Sequence, residues 1–270
     1  AIDANDTYGQ WQSGSFHLPG HSISQVGSYG KVTFSHDDLG LLDKTIEDTF
    51  IDSDSATKNI NMGSDGNLTI GSSSSAEQYG LIRINLDDVG LHSNSSIISA
   101  DFIFERSSYS GDAIVSFHVM DAEDWTEFGS TWKKYDGTYY WDDGGRTPSM
   151  SVGSFDGNQS SSTVEVNLTV AIQKWIDDNN AAVQSGQAPA KHLDLMLVAS
   201  TWGIEESTTR SVNLCSTDSS TCENPKIEIT YDWGSNGPPT IPTHTSPLNG
   251  HSVWNLTGHN LSGNTTPTLS

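Results

Sequence analysis

Basic residues are scarce in this chain. Lysine and arginine together number 12 against 34 aspartates and glutamates, for a formal charge of -22. A surface that negative repels nucleic acid and anionic lipid, so nucleic acid is not an expected partner. The same charge suits a medium rich in salt or divalent cations, which screen self-repulsion. Long apolar runs are absent, so no membrane insertion is expected. Cysteine is rarer still, with 2 in 270 residues, too few to supply a zinc site by themselves. Motifs of catalysis are missing as well: there is no G-x-S-x-G elbow, H-E-x-x-H pair, phosphate loop or C-x-x-C. Carboxylate pairs abound, but a glycosidase needs two at a set distance with one pKa raised, which no spacing in the sequence specifies. His17 and His21 would share a metal only on a helix, and Pro19 and Gly20 between them oppose one. The expectation is a chain that is not an enzyme.

Aromatic residues, by contrast, are concentrated. The string W-T-E-F-G-S-T-W-K-K-Y-D-G-T-Y-Y-W-D-D-G-G runs from Trp125 through Trp141 to Gly145. Its large flat rings with polar tips suit packing on a sheet or stacking on a sugar. Interspersed acids and glycines argue for a long loop rather than a helix.

Three features point outside the cell. Asn-x-Ser/Thr recurs at Asn5, Asn67, Asn94, Asn158, Asn167, Asn255, Asn260 and Asn264, candidate N-glycosylation sites that belong on exposed loops of exported proteins. Cys215 and Cys222 flank the short turn S-T-D-S-S-T. They are either two unrelated thiols or a disulfide closing that turn, which requires an oxidising compartment. A chain that begins at Ala1 is expected to be a processed secreted product, associated with the cell surface.

Residues 1–45 are rich in Gly, Ser and His and read as an extended segment with one alternating piece at Val32-Thr33-Phe34. Residues 46–233 read as successive strands. Ile82, Ile84 and Leu86 share one face; so do Ile98, Ala100, Phe102 and Phe104; Ala113, Val115, Phe117 and Val119; Val164, Val166 and Leu168; Leu193, Leu195 and Leu197; and Ile227, Ile229, Tyr231 and Trp233. Alternation repeated this often predicts an all-β fold, a two-sheet, jelly-roll-like β-sandwich. Leu168, Ile172, Trp175 and Ile176 have helical spacing instead, and the spacing predicts one short helix ended by D-D-N-N. Residues 234–246 are a Pro/Gly-rich linker by composition. Residues 247–270 look like the opening of an immunoglobulin-like or fibronectin-like repeat, either a partial domain or a strand that completes another copy's sheet.

The middle stretch resembles the DNRLRE domain, a secreted β-sandwich module of prokaryotic surface proteins. D-T-F-I-D (Asp48 to Asp52) is similar to that family's first strand, and N-I-N-M-G (Asn59 to Gly63) to its Asn-x-Gly turn in altered form. L-T-I-G (Leu68 to Gly71), L-I-R-I-N-L (Leu81 to Leu86) and S-A-D-F-I-F (Ser99 to Phe104) resemble later strands. W-T-E-F-G-S-T-W (Trp125 to Trp132) resembles the W-x-E-x-x-x-T-W signature, N-L-T-V-A-I-Q-K-W the strand-to-helix element, and N-P-K-I-E-I-T-Y the closing strand. The resemblance implies a carbohydrate-binding, adhesive or scaffolding role.

Candidate site residues follow. Trp125, Trp132, Tyr139, Tyr140 and Trp141 are either the core of a loop folded over the sheet or stacking platforms for a glycan. Because Tyr139, Tyr140 and Trp141 are consecutive, at least one must face solvent. Calcium is the one cofactor expected, as a structural ion, with Asp48, Asp52, Asp87, Asp88, Asp142 and Asp143 as candidate ligands. Asp52 and Asp54 begin like a calcium loop, but no glycine occupies the sixth position, so an EF-hand is excluded. Two functions compete: a structural and adhesive module that self-associates into a surface filament or stalk through its terminal segments, and a module that binds polysaccharide through the aromatic loop. An accessory domain cut from a polysaccharide lyase or hydrolase is a third reading.

Overall fold

The structure is a computed structural model that describes residues 15–18, 21–26, 29–35, 46–73, 75–86, 96–120, 124–141, 150–200, 209–232, 243–248 and 251–255. For the strands before residue 36 and after residue 242 it describes the backbone alone. The predicted strands form. They are β1 (Ser15–Leu18), β2 (His21–Val26), β3 (Tyr29–Ser35), β4 (Ile46–Asp52), β5 (Asn67–Ser72), β6 (Glu77–Asn85), β7 (Ser96–Ser110), β8 (Ile114–Val119), β9 (Met150–Asp156) and β10 (Thr163–Asn167). Helix α1 (Thr169–Gln184) comes next, then β11 (His192–Ser200), β12 (Arg210–Cys215), β13 (Lys226–Asp232), β14 (Thr243–Leu248) and β15 (His251–Asn255).

All the described strand pairs are antiparallel. Strands β1 to β13 join in one sheet of order β1-β2-β3-β13-β7-β12-β5-β6-β11-β8-β9, with β10 beside β7 and β4 beside β6. The long strand β7 belongs to both halves: residues 96–103 pair with β13 and residues 106–110 with β12. The sheet therefore curls on itself, and both halves contribute to one core. Ile46, Phe50, Ile82, Ile84 and Leu195 come from one half, and Phe102, Phe104, Val164, Ile227 and Ile229 from the other. Phe104 packs at 5.3 Å from Phe155 and 5.9 Å from Phe117, ring centre to ring centre. Each such fully buried side chain contributes ~1.5–3 kcal/mol of transfer free energy. The all-β expectation is borne out, with its layers joined through β7.

Ile98 departs from the expected face. It is 47% exposed, whereas Ile97 is buried. The cause is a bulge: Thr230 pairs with Ser99 but Tyr231 with Ile97, so the extra residue flips the alternation. The helix also differs in extent. D-D-N-N does not end it but lies inside it. Gln173 donates to Asp177 and Lys174 to Asp178 at the i,i+4 spacing, which carries the helix through the polar stretch. It stops at Gly186 (φ 75), where the N–H groups of Gly186 and Gln187 donate to the carbonyls of Val183 and Ala182. That is a Schellman closure, which needs a left-handed residue. The packing residues were read correctly, since Leu168 and Ile172 are fully buried, Ile176 nearly so, and Trp175 rests against the core.

The N-terminal stretch supplies three strands rather than one alternating piece. Through β3 it pairs with β13 along the whole of that strand. At the other end of the chain, β14 and β15 form a separate hairpin, and β14 starts inside the stretch read as linker. Its register slips between His244 and Pro247, where proline has no N–H for the ladder.

Candidate functional site

The part of the sheet formed by β4, β6 and β11 is buried on both faces. Ile82, Ile84, Leu195 and Leu197 point to the main core, while Leu81, Ile51 and Met196 point the other way, into a second cluster with Met120, Trp125 and Trp141. The aromatic string is what covers that outer face.

Its anchor is a buried polar hub. Arg83 on β6 grips Asp194 on β11 with two donors, at 2.7 and 3.3 Å. A third Arg83 donor reaches the Trp125 carbonyl at 2.7 Å, and the guanidinium lies 4.7 Å from the Trp125 ring centre. The Trp125 indole N–H donates to the same Asp194 carboxylate at 3.0 Å. Every strong polar group in this buried site thus has a partner, which is the condition for a buried ion pair to hold a loop rather than destabilise it. The Trp141 indole N–H donates to the Thr131 carbonyl at 2.9 Å. Ser130 donates to the carbonyls of Thr126 and Tyr135, and the Asp136 carboxylate receives the N–H groups of Thr138 and Tyr139. Those donors hold the Asp136 carboxyl below its ordinary pKa. Gly137 (φ 86) makes the turn.

The stacking candidates separate. Trp125 and Trp141 are core residues, and Trp132 is half-buried against Tyr79, 5.2 Å between ring centres. These three do not offer open platforms, because the outer face of β6 and β11 needs an apolar cover. Tyr139 (62% exposed) and Tyr140 (64%) do face solvent. Tyr139 stacks on Tyr135 at 6.0 Å, and Lys134 sits 5.5 Å from the Tyr140 ring centre.

The acidic candidates separate too. Asp142, Asp143, Asp87 and Asp88 lie outside the described residues. Asp52 is buried and committed locally, accepting from the Asp54 N–H at 2.8 Å and from Gln78 at 3.0 Å. Asp48 is different. It lies on the core side of β4, between Ile46 and Phe50, and is 1% exposed. Its carboxylate accepts the Thr217 N–H at 2.7 Å, from the loop between the cysteines. The acids whose charges act on it are Glu127, itself 2% exposed, and Asp218. Burial, with the two neighbouring acids adding to it, pushes the Asp48 carboxyl up to about 8, against the lowering hydrogen bond from Thr217. The Thr217 hydroxyl also leans on this carboxyl, yet no partner meets it in hydrogen-bonding geometry, and the residue is 1% exposed.

Glu127 is held there by Asn61, which donates to the carbonyls of Glu127 (2.7 Å) and Ser130 (2.8 Å) and accepts from the Gly63 N–H. Gly63 must be glycine, because a Cβ there would lie 2.2 Å from the Glu127 carbonyl oxygen. The N-I-N-M-G and W-T-E strings therefore touch. Asn61, Glu127, Thr217 and Asp218 were not singled out from the sequence, although Glu127 stood at the third position of W-T-E.

Cys215 and Cys222 are bonded, with an S–S distance of 1.98 Å, so of the two readings the disulfide holds. Glu105 lies beside that pair, but thiolates tied up in a disulfide cannot ligate a metal. Ser216 Oγ donates to the Asp65 carbonyl at 2.6 Å, fixing the disulfide loop against the turn before β5. Of the sequons, Asn158 and Asn167 are exposed and Asn67 is half-buried, accepting from Ser107. Asn255 ends β15, and Asn5, Asn94, Asn260 and Asn264 lie outside the described residues. A cleft of about 230 Å³ between α1 and the β8–β11 edge is lined by Trp175, Lys174, Asp178, Asn179 and His192. The Trp175 indole N–H is already committed to the His192 carbonyl at 3.1 Å. Among the described residues no helix is long and apolar enough to cross a membrane.

No family model matches this chain, and no curated protein does either.

Proposed function

We propose that the chain is a non-catalytic structural and adhesive module of an extracellular, cell-surface assembly, self-associating through its terminal segments into a filament or stalk. The observation that carries this reading is the edge of the sheet. β1 pairs with β2 on one side only, among the described residues. A strand with one open ladder can accept an extended segment from a second copy, whose backbone then gains its hydrogen bonds. The disulfide, the sequons and the likeness to the DNRLRE module support a place outside the cell. The test is electron microscopy and sedimentation of the whole chain beside two variants, Phe16→Pro and His17→Pro. Consecutive N–H groups in a strand point to opposite sides, so one of the two prolines removes an outward donor. Polymers in the wild type that disappear in one of these variants are expected. A wild type that stays monomeric at every concentration refutes the reading.

A second reading, a polysaccharide-binding module, is favoured by one observation: Tyr139 and Tyr140 are exposed on a loop fixed from beneath. Affinity electrophoresis with neutral and acidic polysaccharides should then show retardation that Tyr139→Ala and Tyr140→Ala abolish. Retardation unchanged by both removes the tyrosines from the site.

A further inference from the structure

We propose that β15 of one copy adds antiparallel to the open edge of β1 in the next, head to tail, so that assembly runs on as an open filament. This donation rests on the assembly reading and deepens it: it names the segment that is given, the edge that takes it and the polarity of the contact.

Two strands keep one ladder open. Among the described residues β1 pairs only with β2, and β15 only with β14. The β14–β15 hairpin joins no strand of the larger sheet. A two-stranded hairpin is marginal in water and needs a third strand or a covering layer to persist. The β1 edge supplies that third strand. The two edges match in length, with four residues in Ser15–Leu18 and five in His251–Asn255. Joining them satisfies backbone N–H and C=O groups of both copies at once. Antiparallel addition continues the pairing on either side of the contact, in β1–β2 and in β14–β15. Within one chain β15 does not pair with β1, so both ladders remain for a second copy.

Residue types single out β15 from the other edge of its hairpin. β14 carries Pro247, and proline in a sheet is confined to edges that take no further partner. β15 has no proline. It also has no Asp, Glu, Lys or Arg, and neither has β1. Charged residues on an edge are a usual guard against pairing between copies, and both edges lack them in a chain of charge -22. Two uncharged strands therefore meet without the repulsion that keeps the rest of two such surfaces apart. Because the giving and the taking edges differ, the contact is heterologous. Every oligomer then ends in one free β1 and one free β15, and growth continues unless the rotation between copies closes a ring. Pairing of two β1 edges would stop at a dimer instead.

The experiment uses the whole chain. Ser252→Pro and Val253→Pro probe β15 as Phe16→Pro and His17→Pro probe β1, one of each pair removing an outward donor. The strands of the larger sheet pair without β15, so the β15 variants keep that fold. By sedimentation and electron microscopy, one β15 variant should stay monomeric where the wild type forms polymers. Mixing then reads the polarity. A chain dead at β1 still has a working β15, and a chain dead at β15 still has a working β1. In equal amounts the two should form a capped pair of twice the chain's mass and nothing longer. A second measurement needs no proline: Phe16→Cys in one population is mixed with Ser252→Cys, Val253→Cys or Trp254→Cys in the other and oxidised. A disulfide-linked heterodimer is expected for at least one of the three, since bridging requires the two backbones to lie within about 7 Å. Polymers that persist in both β15 variants overturn the donation and leave the assembly reading standing. So do a mixture that stays monomeric, the absence of any linked heterodimer, and links formed only between two Phe16→Cys chains, which mark like edges pairing. A wild type that stays monomeric, with its own β15 closing its own β1 or without, overturns both.

Discussion

Asp48→Asn should raise stability at neutral pH and remove a distinctive pH dependence. The Asp48 carboxyl titrates at 3.8 when exposed and is pushed up to about 8 by burial in the folded chain. Below pH 3.8 both states hold the proton, and the group's contribution to stability is fully present. Between there and pH 8 the unfolded chain ionises while the folded one stays protonated, so stability falls by about 1.4 kcal/mol per pH unit. Above pH 8 the loss levels off. At pH 7 the accumulated cost is about 4 kcal/mol, a large part of the ~5–15 kcal/mol by which domains are stable. Asparagine keeps an oxygen to accept the Thr217 N–H, now 2.7 Å away, but carries no charge to desolvate. Many other carboxylates titrate in the same range, so the quantity to measure is the difference between variant and wild type. Urea unfolding from pH 5 to 8 gives it directly. The difference should grow in the variant's favour with pH and approach the full cost near pH 8. Parallel curves would refute the reasoning, because they would mean that the folded chain holds an ionised Asp48 at no cost.

Asp194→Ala would leave the Arg83 guanidinium and the Trp125 indole N–H without a shared acceptor, at a cost of about 3–5 kcal/mol in urea unfolding; a loss under ~1 kcal/mol would mean the hub is not what holds the loop. Reduction of the Cys215–Cys222 bond, whose residues are separated by 7 positions, should lower stability by about 2–3 kcal/mol on loop-closure grounds, measured as the Tm difference with and without reductant. Gly63→Ala must move the Glu127 carbonyl that stands 2.2 Å from the new Cβ, costing about 1–3 kcal/mol; an unchanged denaturation midpoint contradicts that close approach. At Tyr139 and Tyr140 the reverse holds: alanine at either should change stability by less than about 0.5 kcal/mol by the same assay.

Much of the fold was legible because its strands announce themselves locally. Val164, Val166 and Leu168, or Ile227, Ile229 and Tyr231, alternate in phase with the core they enter, and the isolated cysteine pair had one short turn to close. Ile98 was misplaced because a bulge is set by the partner strand, which a single strand's pattern does not contain. The helix was cut short at D-D-N-N because composition suggested a stop, while the i,i+4 partners of Asp177 and Asp178 and the left-handed Gly186 determined the real one. The aromatic string was legible as a loop, but its role was not. The signal lay elsewhere, in L-D-L-M-L-V (Leu193 to Val198), where Met196 and Val198 are apolar at positions that an open sheet face would make polar. Of the residues around the buried Asp48 carboxyl, only Asp48 itself was singled out from the sequence. Asp48 and Thr217 are 169 positions apart, and only the folded chain brings them together.

The same string of aromatic residues thus divides into two populations with opposite requirements. Trp125 and Trp141 are inside the protein, with their indole N–H groups paired to Asp194 and to the Thr131 carbonyl, so replacing them removes cover from Leu81 and Met196 as well as their own burial. Tyr139 and Tyr140 gain little from the fold and are held in place by it, through the Asp136 turn and the Tyr135 ring. A loop anchored by the first pair presents the second with little conformational freedom left to lose on contact, and rigid tyrosines are effective contact residues for that reason. The Glu127 carbonyl ties this loop to the turn before β5, through the Asn61 amide and the close approach of Gly63. Asn61→Ala removes two of those tethers, so contact strength at Tyr139 and Tyr140 should weaken although neither tyrosine touches Asn61.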